Sequence, residues 1–279
     1  MLKKTLLFLI FIIPLFCEAT DLKPWFGNEY EAEIRATTLY QNYNAISSHC
    51  PDSAVKDEND VFLTLSAEYP FKRYSGEFEA TAASTRYQNA RWDCFRVTGR
   101  YQWISEKLAG DPFSMVTSIT LTQPFSRALH DISSFHHGHI EAEADISFGQ
   151  QFGYPCSDDY IFRWWNVIGM GMADEGFPWI REEFACEYNY FNIHQLRGFV
   201  HTLWGTGNKH LQPCYFIGYG NVRHQSVDCG IRYSYSTDCW GTLSIQYARR
   251  VYALNFPKNT NLVMLEYYLP FGFQNPYNY

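Results

Sequence analysis

The side chains most able to do chemistry are concentrated between residues 133 and 145. Glu141, Glu143 and Asp145 follow one another at a spacing of two, and the histidine-rich stretch SSFHHGH at 133–139 comes just before them. Imidazole and carboxylate groups together are typical metal ligands. No defined metal-binding spacing is present, however. The residues therefore favour a histidine-rich loop that leads into a strand, and we expect no metal site and no cofactor.

Ser134 and His136 also have the residue types of a nucleophile and its base. A serine hydrolase needs these two groups within hydrogen-bond reach, a third group that orients the histidine, and an oxyanion hole. The sequence supplies no third group and no oxyanion hole. We therefore expect no enzymatic activity, and a barrel hydrolase acting on lipids is the least favoured of three hypotheses.

The three carboxylates belong to an alternation that returns along most of the chain. From Ile140 to Phe148 every second residue is apolar, and the residues between are charged or small. A period of two indicates β-strands with one apolar and one polar face. Thirteen such runs can be read, separated by turn-rich segments: 30–40, 61–71, 74–86, 94–104, 115–122, 140–149, 160–172, 180–191, 195–205, 214–223, 227–236, 242–253 and 262–273.

The runs predict one all-β domain, residues 20–279, folded as a closed antiparallel transmembrane β-barrel of about 12 strands, within a range of 10–14. Aromatic residues make up 18% of the chain, as aromatic girdles require. Long segments at 43–59 and 123–138 alternate with tight turns. Apolar or aromatic residues of the last run share one phase up to the final residue, interrupted by Pro276: Tyr267, Leu269, Phe271, Phe273, Tyr277 and Tyr279. A barrel with an even number of strands requires that one of the thirteen runs is a loop or that one strand has been missed, and we expect this error within 195–223. The alternative fold is a soluble β-sandwich or jelly roll.

A secretory signal peptide is predicted at residues 1–19. Lys3 and Lys4 precede an apolar run, and Cys17-Glu18-Ala19 is a cleavage site of small residues. The alternative is lipidation of Cys17, which the bulky Phe16 disfavours. No stretch of 18 apolar residues follows, so residence in a membrane must come from strands. We therefore predict a location in the bacterial outer membrane, with its lipid as a partner.

The polar faces carry charges of both signs and provide the candidate residues that line the lumen. A wide lumen with an acidic excess favours cations, whereas a narrow one is filled by arginine–carboxylate networks; about 12 strands leaves both open. The net charge is -7 and no basic run occurs, so we expect no nucleic-acid partner. The lumen candidates are Glu31, Glu33, Arg35, Glu77, Glu79, Arg96, Arg100, Glu141, Glu143, Asp145, Asp228 and Arg232.

Eight cysteines are present, and seven remain if Cys17 leaves with the signal peptide. An odd number leaves at least one thiol free or bonded to another chain. The candidates for disulfides, in or beside predicted loops, are Cys50, Cys156, Cys214 and Cys239. The remaining three, Cys94, Cys186 and Cys229, fall inside strand patterns, where cysteine commonly acts as a small apolar residue.

Four segments resemble uncharacterised outer-membrane β-barrel proteins of chlamydiae: HHGHIE at 136–141, GFPWIR at 176–181, DCGIRY at 228–233 and YLPFGF at 268–273. The resemblance implies a cell envelope cross-linked by disulfides, in which cysteine-bearing barrels take part. It transfers no catalytic or binding residue.

The leading functional hypothesis is a passive pore for small solutes or ions. The alternative is a structural or adhesive envelope barrel joined to other envelope proteins through disulfides.

Overall fold

The structure is a computed structural model that describes residues 22–48, 58–106, 110–153, 160–237 and 240–272. The predicted signal peptide at 1–19 and the final residues 273–279 lie outside these ranges. Short 3₁₀ helices occupy Ala128–His130 and Pro213–Tyr215. The strands are β1 Glu31–Tyr43, β2 Ala45–Ile46, β3 Glu58–Phe71, β4 Tyr74–Ser84, β5 Arg91–Ile104, β6 Ser114–Pro124, β7 Glu141–Gly153, β8 Tyr160–Ala173, β9 Trp179–Tyr190, β10 His194–Gly205, β11 Gln225–Thr237, β12 Gly241–Leu254, β13 Pro257–Lys258 and β14 Asn261–Gly272.

Twelve of these strands form one closed antiparallel barrel. Each strand pairs with its neighbour in the chain, and β1 closes the sheet by pairing with both β14 and β3. The short strands β2 and β13 pair with each other outside the barrel wall. The predicted fold class and the preferred strand number are therefore confirmed. Among the described residues, no helix is long and apolar enough to cross a membrane.

The alternation places apolar side chains outside and polar side chains inside. On β6, Ile119 and Leu121 are 62% and 53% exposed, whereas the residues that alternate with them, Ser118, Thr120 and Thr122, are buried. The period-two geometry of a strand produces this separation, because successive Cβ atoms point to opposite faces. The barrel strands are 11–14 residues long, enough for tilted strands to cross a bilayer.

Exposed aromatic side chains gather near the end of the barrel at which β1 begins and β14 ends. We call this end the terminus end, and the opposite end is the loop end. Such a belt is typical of a membrane–water interface. The exposed aromatics near the terminus end include Phe71, Tyr74, Trp103, Phe152, Tyr188, Tyr190, Tyr235 and Trp240.

The run at 214–223 is not a strand, and it lies within the region 195–223 where the sequence analysis expected one error. Residues 206–224 form a loop between β10 and β11, with a 3₁₀ turn and a single bridge between Lys209 and Val222. Its large residues do not follow a strand period, since Phe216, Tyr219 and Val222, which are spaced by three, are buried in an apolar cluster under the loop. These three residues are apolar because they pack on other loops and not because they face lipid.

Candidate functional site: the barrel interior

Buried ion pairs connect the strands across the interior. Arg35 on β1 lies 3.8 Å from Glu68 and 3.7 Å from Glu77, and Arg100 on β5 lies 3.0 Å from Glu68. Arg96 adds a 2.8 Å pair with Glu79. These residues come from β1, β3, β4 and β5. Removing one partner of such a buried pair leaves the other uncompensated, at a cost of about 3–5 kcal/mol.

Similar pairs line the rest of the wall. Arg181 on β9 lies 3.2 Å from Asp145 and also contacts Glu143. Both Arg163 and Arg197 contact Glu187.

Two further ion pairs lie on β11, β12 and β14. Arg232 on β11 contacts Glu266 on β14. Arg250 donates to both carboxylate oxygens of Asp228, at 2.7 and 2.8 Å, the bidentate geometry that arginine favours. Guanidinium–carboxylate pairs therefore involve every barrel strand except β6.

The interior contains two cavities separated by a charged layer. The larger, about 320 Å³, lies toward the loop end, and the smaller, about 230 Å³, lies toward the terminus end. Arg35, Arg197, Arg232 and Glu266 line both cavities, so they mark the boundary between them. We call these four residues the partition.

The chain before β1 passes into the barrel beside the partition. Leu22 lines the larger cavity, whereas Lys23 and Trp25 line the smaller one. Trp25 is buried with its ring edge-on to Trp165, centroids 5.9 Å apart. Barrel side chains also form hydrogen bonds with the backbone of this segment. Arg100 donates to the carbonyl of Lys23, and Gln102 donates to that of Pro24 at 3.1 Å. The segment narrows the lumen from the terminus end.

Two loops, residues 125–140 and 206–224, close over the loop end, and we call them the cover loops. Their backbones hydrogen-bond directly, since the N–H of Tyr219 donates to the carbonyl of His136 at 2.7 Å and that of Gly220 to His137 at 3.1 Å. Gly218 has a φ of +70°, a conformation that glycine adopts without strain. An apolar cluster fastens the cover: Tyr43, Ile46, Ile132, Leu211, Phe216, Tyr219, Val222 and Phe256.

A histidine pair joins the two cover loops. The Nδ1–H of His224 donates to the carbonyl of Val222 at 2.9 Å, which leaves its Nε2 to accept from His137, 3.3 Å away. Burial, with His137 as a second cause, lowers the pKa of His224 to about 3. Burial also raises the pKa of Tyr219 well above its ordinary value. His224 is therefore neutral in the closed cover.

His136 makes separate contacts on the wall of the larger cavity. Its Nε2 lies 2.9 Å from Asp93, and its Nδ1 lies 3.6 Å from Glu141. Burial disfavours its protonated form, but Asp93, Cys94 and Glu141 together outweigh burial and raise the pKa of His136 well above its ordinary value. Ser134, by contrast, accepts a hydrogen bond from Gln88 at 2.9 Å.

The predicted lumen residues occupy three kinds of place. Those that line a cavity are Glu33, Arg35, Glu79, Arg96, Arg100, Glu141, Glu143, Asp228 and Arg232. Glu77 and Asp145 are buried in ion pairs behind them. Glu31 sits at the rim of the terminus end, half-exposed, where it accepts from Asn28 at 3.0 Å. A role for any of them in permeation stays a prediction.

Several interior residues escaped the sequence analysis. Glu266 and Arg250 pair with candidates that were identified, and Glu266 follows the alternation of its strand in the phase opposite to Tyr267, so phase alone could have found it. Asp93 gave no such signal, because the strand bulges there and the alternation breaks.

Three of the four cysteines predicted to form disulfides, Cys50, Cys156 and Cys239, lie outside the described residues. Cys214 is exposed and free on a cover loop, and the three strand cysteines are also free. Cross-linking to another chain therefore stays a prediction.

No protein-family model and no curated protein sequence matches this chain. Solved structures match by fold. An outer-membrane channel from Pseudomonas putida F1 superimposes with a TM-score of 0.63 at 13% identity, and the match covers 91% of this chain and 100% of that one. The NanC porin superimposes with a TM-score of 0.52 at 9% identity, over 84% of this chain and 97% of that one. These neighbours share the barrel fold and are consistent with the predicted outer-membrane location; the chlamydial resemblance stays a prediction.

Proposed function

We propose that the protein is an outer-membrane channel for small solutes or ions, narrowed at the partition between its two cavities. The observation that carries the proposal is the pair of cavities inside one closed barrel, both lined by charged side chains. Charged walls favour water and polar solutes over a dry core. The similarity to an outer-membrane channel over nearly the whole chain supports the same function.

The partition and the segment before β1 set the width of the path. Trp25 fills the lumen against Trp165, and Arg100 lies over the ring of Phe26 with 4.8 Å between the guanidinium carbon and the ring centroid. Water and small ions are the species that cavities of this size accommodate. We therefore expect small unitary conductance and exclusion of large solutes.

Charge in the larger cavity leans toward the acidic side. Its lining includes the carboxylates of Glu79, Asp93, Glu141, Glu143, Glu182, Glu183, Asp228 and Glu266 against the guanidinium groups of Arg35, Arg96, Arg181, Arg197, Arg232 and Arg250. Acidic rings select for cations in aqueous pores. The larger cavity therefore favours cations, whereas the smaller cavity is lined by Lys23 and five arginines against three glutamates.

Conductance in planar bilayers tests the function. The mature protein, checked as a folded heat-modifiable band, should give small discrete conductance steps, and a variant lacking residues 22–26 should give larger ones. The milder variant Trp25→Ala tests the same expectation if the truncation fails to fold. Folded wild-type and Trp25→Ala protein that both leave the bilayer sealed at pH 7.5 and also at pH 5, where protonation of His224 favours an open cover, would remove the channel proposal.

Selectivity is tested separately with a salt gradient. Glu182 lines the larger cavity and accepts a hydrogen bond from Asn166 at 3.1 Å, so Glu182→Gln removes one charge with little change in shape. It should shift the reversal potential toward anions. Glu175→Gln, on an exposed loop, is the matched control and should leave the reversal potential unchanged. Equal shifts in both variants would contradict a lumen that selects by its wall charge.

A further inference from the structure

Three side chains of metal-ligating type meet on the wall of the larger cavity. The carboxylate of Asp93, the thiol of Cys94 and the imidazole of His136 offer ligand atoms that all lie within 4.8 Å of one another. All three residues are buried, and all three line the cavity. Asp93 and Cys94 belong to β5, whereas His136 belongs to a cover loop.

A β-bulge brings the two neighbouring residues of β5 to the same face. Thr81 pairs with Cys94 and Ala82 pairs with Trp92, which leaves Asp93 as the extra residue between them. In a regular strand Asp93 and Cys94 would point to opposite faces, but here both are nearly inaccessible, at 3% and 2% exposure. Bulges commonly re-aim side chains at functional sites. This one turns a carboxylate and a thiol inward side by side.

The ligand set has a definite preference. One thiolate, one imidazole and one carboxylate suit zinc and related divalent transition metals, whereas a thiolate is a poor ligand for magnesium or calcium. Three protein ligands leave one tetrahedral position, which the adjoining cavity can supply with water. The set therefore resembles an open site more than a closed structural one.

The groups behind the ligands are also arranged to hold them. Glu141 lies 3.6 Å from the second ring nitrogen of His136 and accepts from the N–H of His137. Gln88 donates to the other oxygen of Asp93 at 2.9 Å. A carboxylate behind a ligating histidine is a common second layer of metal sites, and its loss typically weakens metal affinity about 10–100-fold.

We propose that Asp93, Cys94 and His136 bind a divalent transition-metal ion of the zinc class, and that the ion ties a cover loop to the barrel wall. The direct contact of His136 with Asp93 at 2.9 Å is then replaced by two metal–ligand bonds. Binding releases the protons of the thiol and the imidazole, because both ligate in their deprotonated forms. Metal binding is measured without a conductance experiment, so its test does not depend on the proposed channel function.

Titration of the folded, tag-free mature protein with Co²⁺ tests the proposal directly. We expect one equivalent to bind with a thiolate-to-cobalt absorption band, and Zn²⁺ to displace it. Cys94→Ser should abolish the band, and Glu141→Gln should weaken Co²⁺ binding about 10–100-fold. Cys186→Ser, on β9 away from the cluster, is the matched control and should retain the band.

Three results would overturn the proposal. The first is wild-type protein that is shown to be folded by its heat-modifiable band and yet binds neither Co²⁺ nor Zn²⁺. A thiolate band that survives Cys94→Ser would place the metal elsewhere. Loss of the band in Cys186→Ser, with Cys94 intact, would do the same.

Discussion

Acidification should open the cover loops through His224. The side chain is neutral in the closed cover, because it is buried and accepts from His137. Protonation of His224 at Nε2 would place its new N–H against the N–H of His137 and add a positive charge beside that ring. The pKa of His224 lies at about 3 in the closed cover, against an ordinary value of 6.5, so the open loop binds more protons at any pH between these values. Closure is therefore most stable above pH 6.5 and loses stability as the pH falls toward 3.

The size of the effect follows from the two pKa values. At pH 5 the medium is about 1.5 pH units below the ordinary pKa of 6.5, so protonation of His224 stabilises the open state by about 2 kcal/mol, at 1.36 kcal/mol per unit. That corresponds to a change of about thirtyfold in the ratio of closed to open cover.

Hydrogen exchange measures the ratio directly. The amides of Tyr219 and Gly220, bonded across the cover, report this ratio. His136 and Asp131 on the same cover have raised pKa values in the closed state and oppose the effect of His224, so the wild type is compared with His224→Gln, which cannot titrate in this range and keeps both groups. Between pH 7.5 and pH 5 the wild type should lose about thirtyfold more protection than His224→Gln, after correction for intrinsic exchange rates. Equal changes of protection in the two proteins would refute the reasoning.

Three further predictions concern stability, each measured as a free energy of unfolding in detergent or lipid. Arg250→Met leaves Asp228 buried without its bidentate partner and should cost about 3–5 kcal/mol, with much of the loss restored in the double variant with Asp228→Leu; an additive double variant would contradict the pairing. Trp165→Ala empties a fully buried position and should cost about 3–5 kcal/mol; a change under about 1 kcal/mol would show that the terminal segment does not pack there. Ile119→Arg should cost about 2–4 kcal/mol if its exposed face meets lipid, whereas unchanged stability would place that face in water.

Much of the barrel was predictable from the sequence because period-two patterning acts within a single strand. The run at 227–236 became β11 with two residues added before it and one after, and its charged residues point inward as the phase requires. The same local signal failed at 214–223, where large residues serve a loop cluster. Local patterning records which residues are apolar but not what covers them.

Features made by distant residues were beyond the sequence. The pairing of Arg232 with Glu266 depends on which strands close the barrel, and no spacing along the chain reveals it. Residues 22–26 carry no pattern that predicts insertion into a lumen. The cluster of Asp93, Cys94 and His136 needs both a bulge and a returning loop, so the histidine-rich stretch alone gave no basis for expecting it.

The central claim is that the alternate side chains of each strand face lipid outside and water inside. Nitroxide labels placed singly along residues 117–122 of β6, in lipid and in a background with all eight cysteines replaced, test it most directly. We predict that labels at 119 and 121 meet oxygen dissolved in the lipid, whereas those at 118, 120 and 122 meet a water-soluble relaxation agent or are shielded from both. Labels that are equally shielded at all six positions, or reached by the aqueous agent at 119 and 121, would contradict a barrel that spans the membrane.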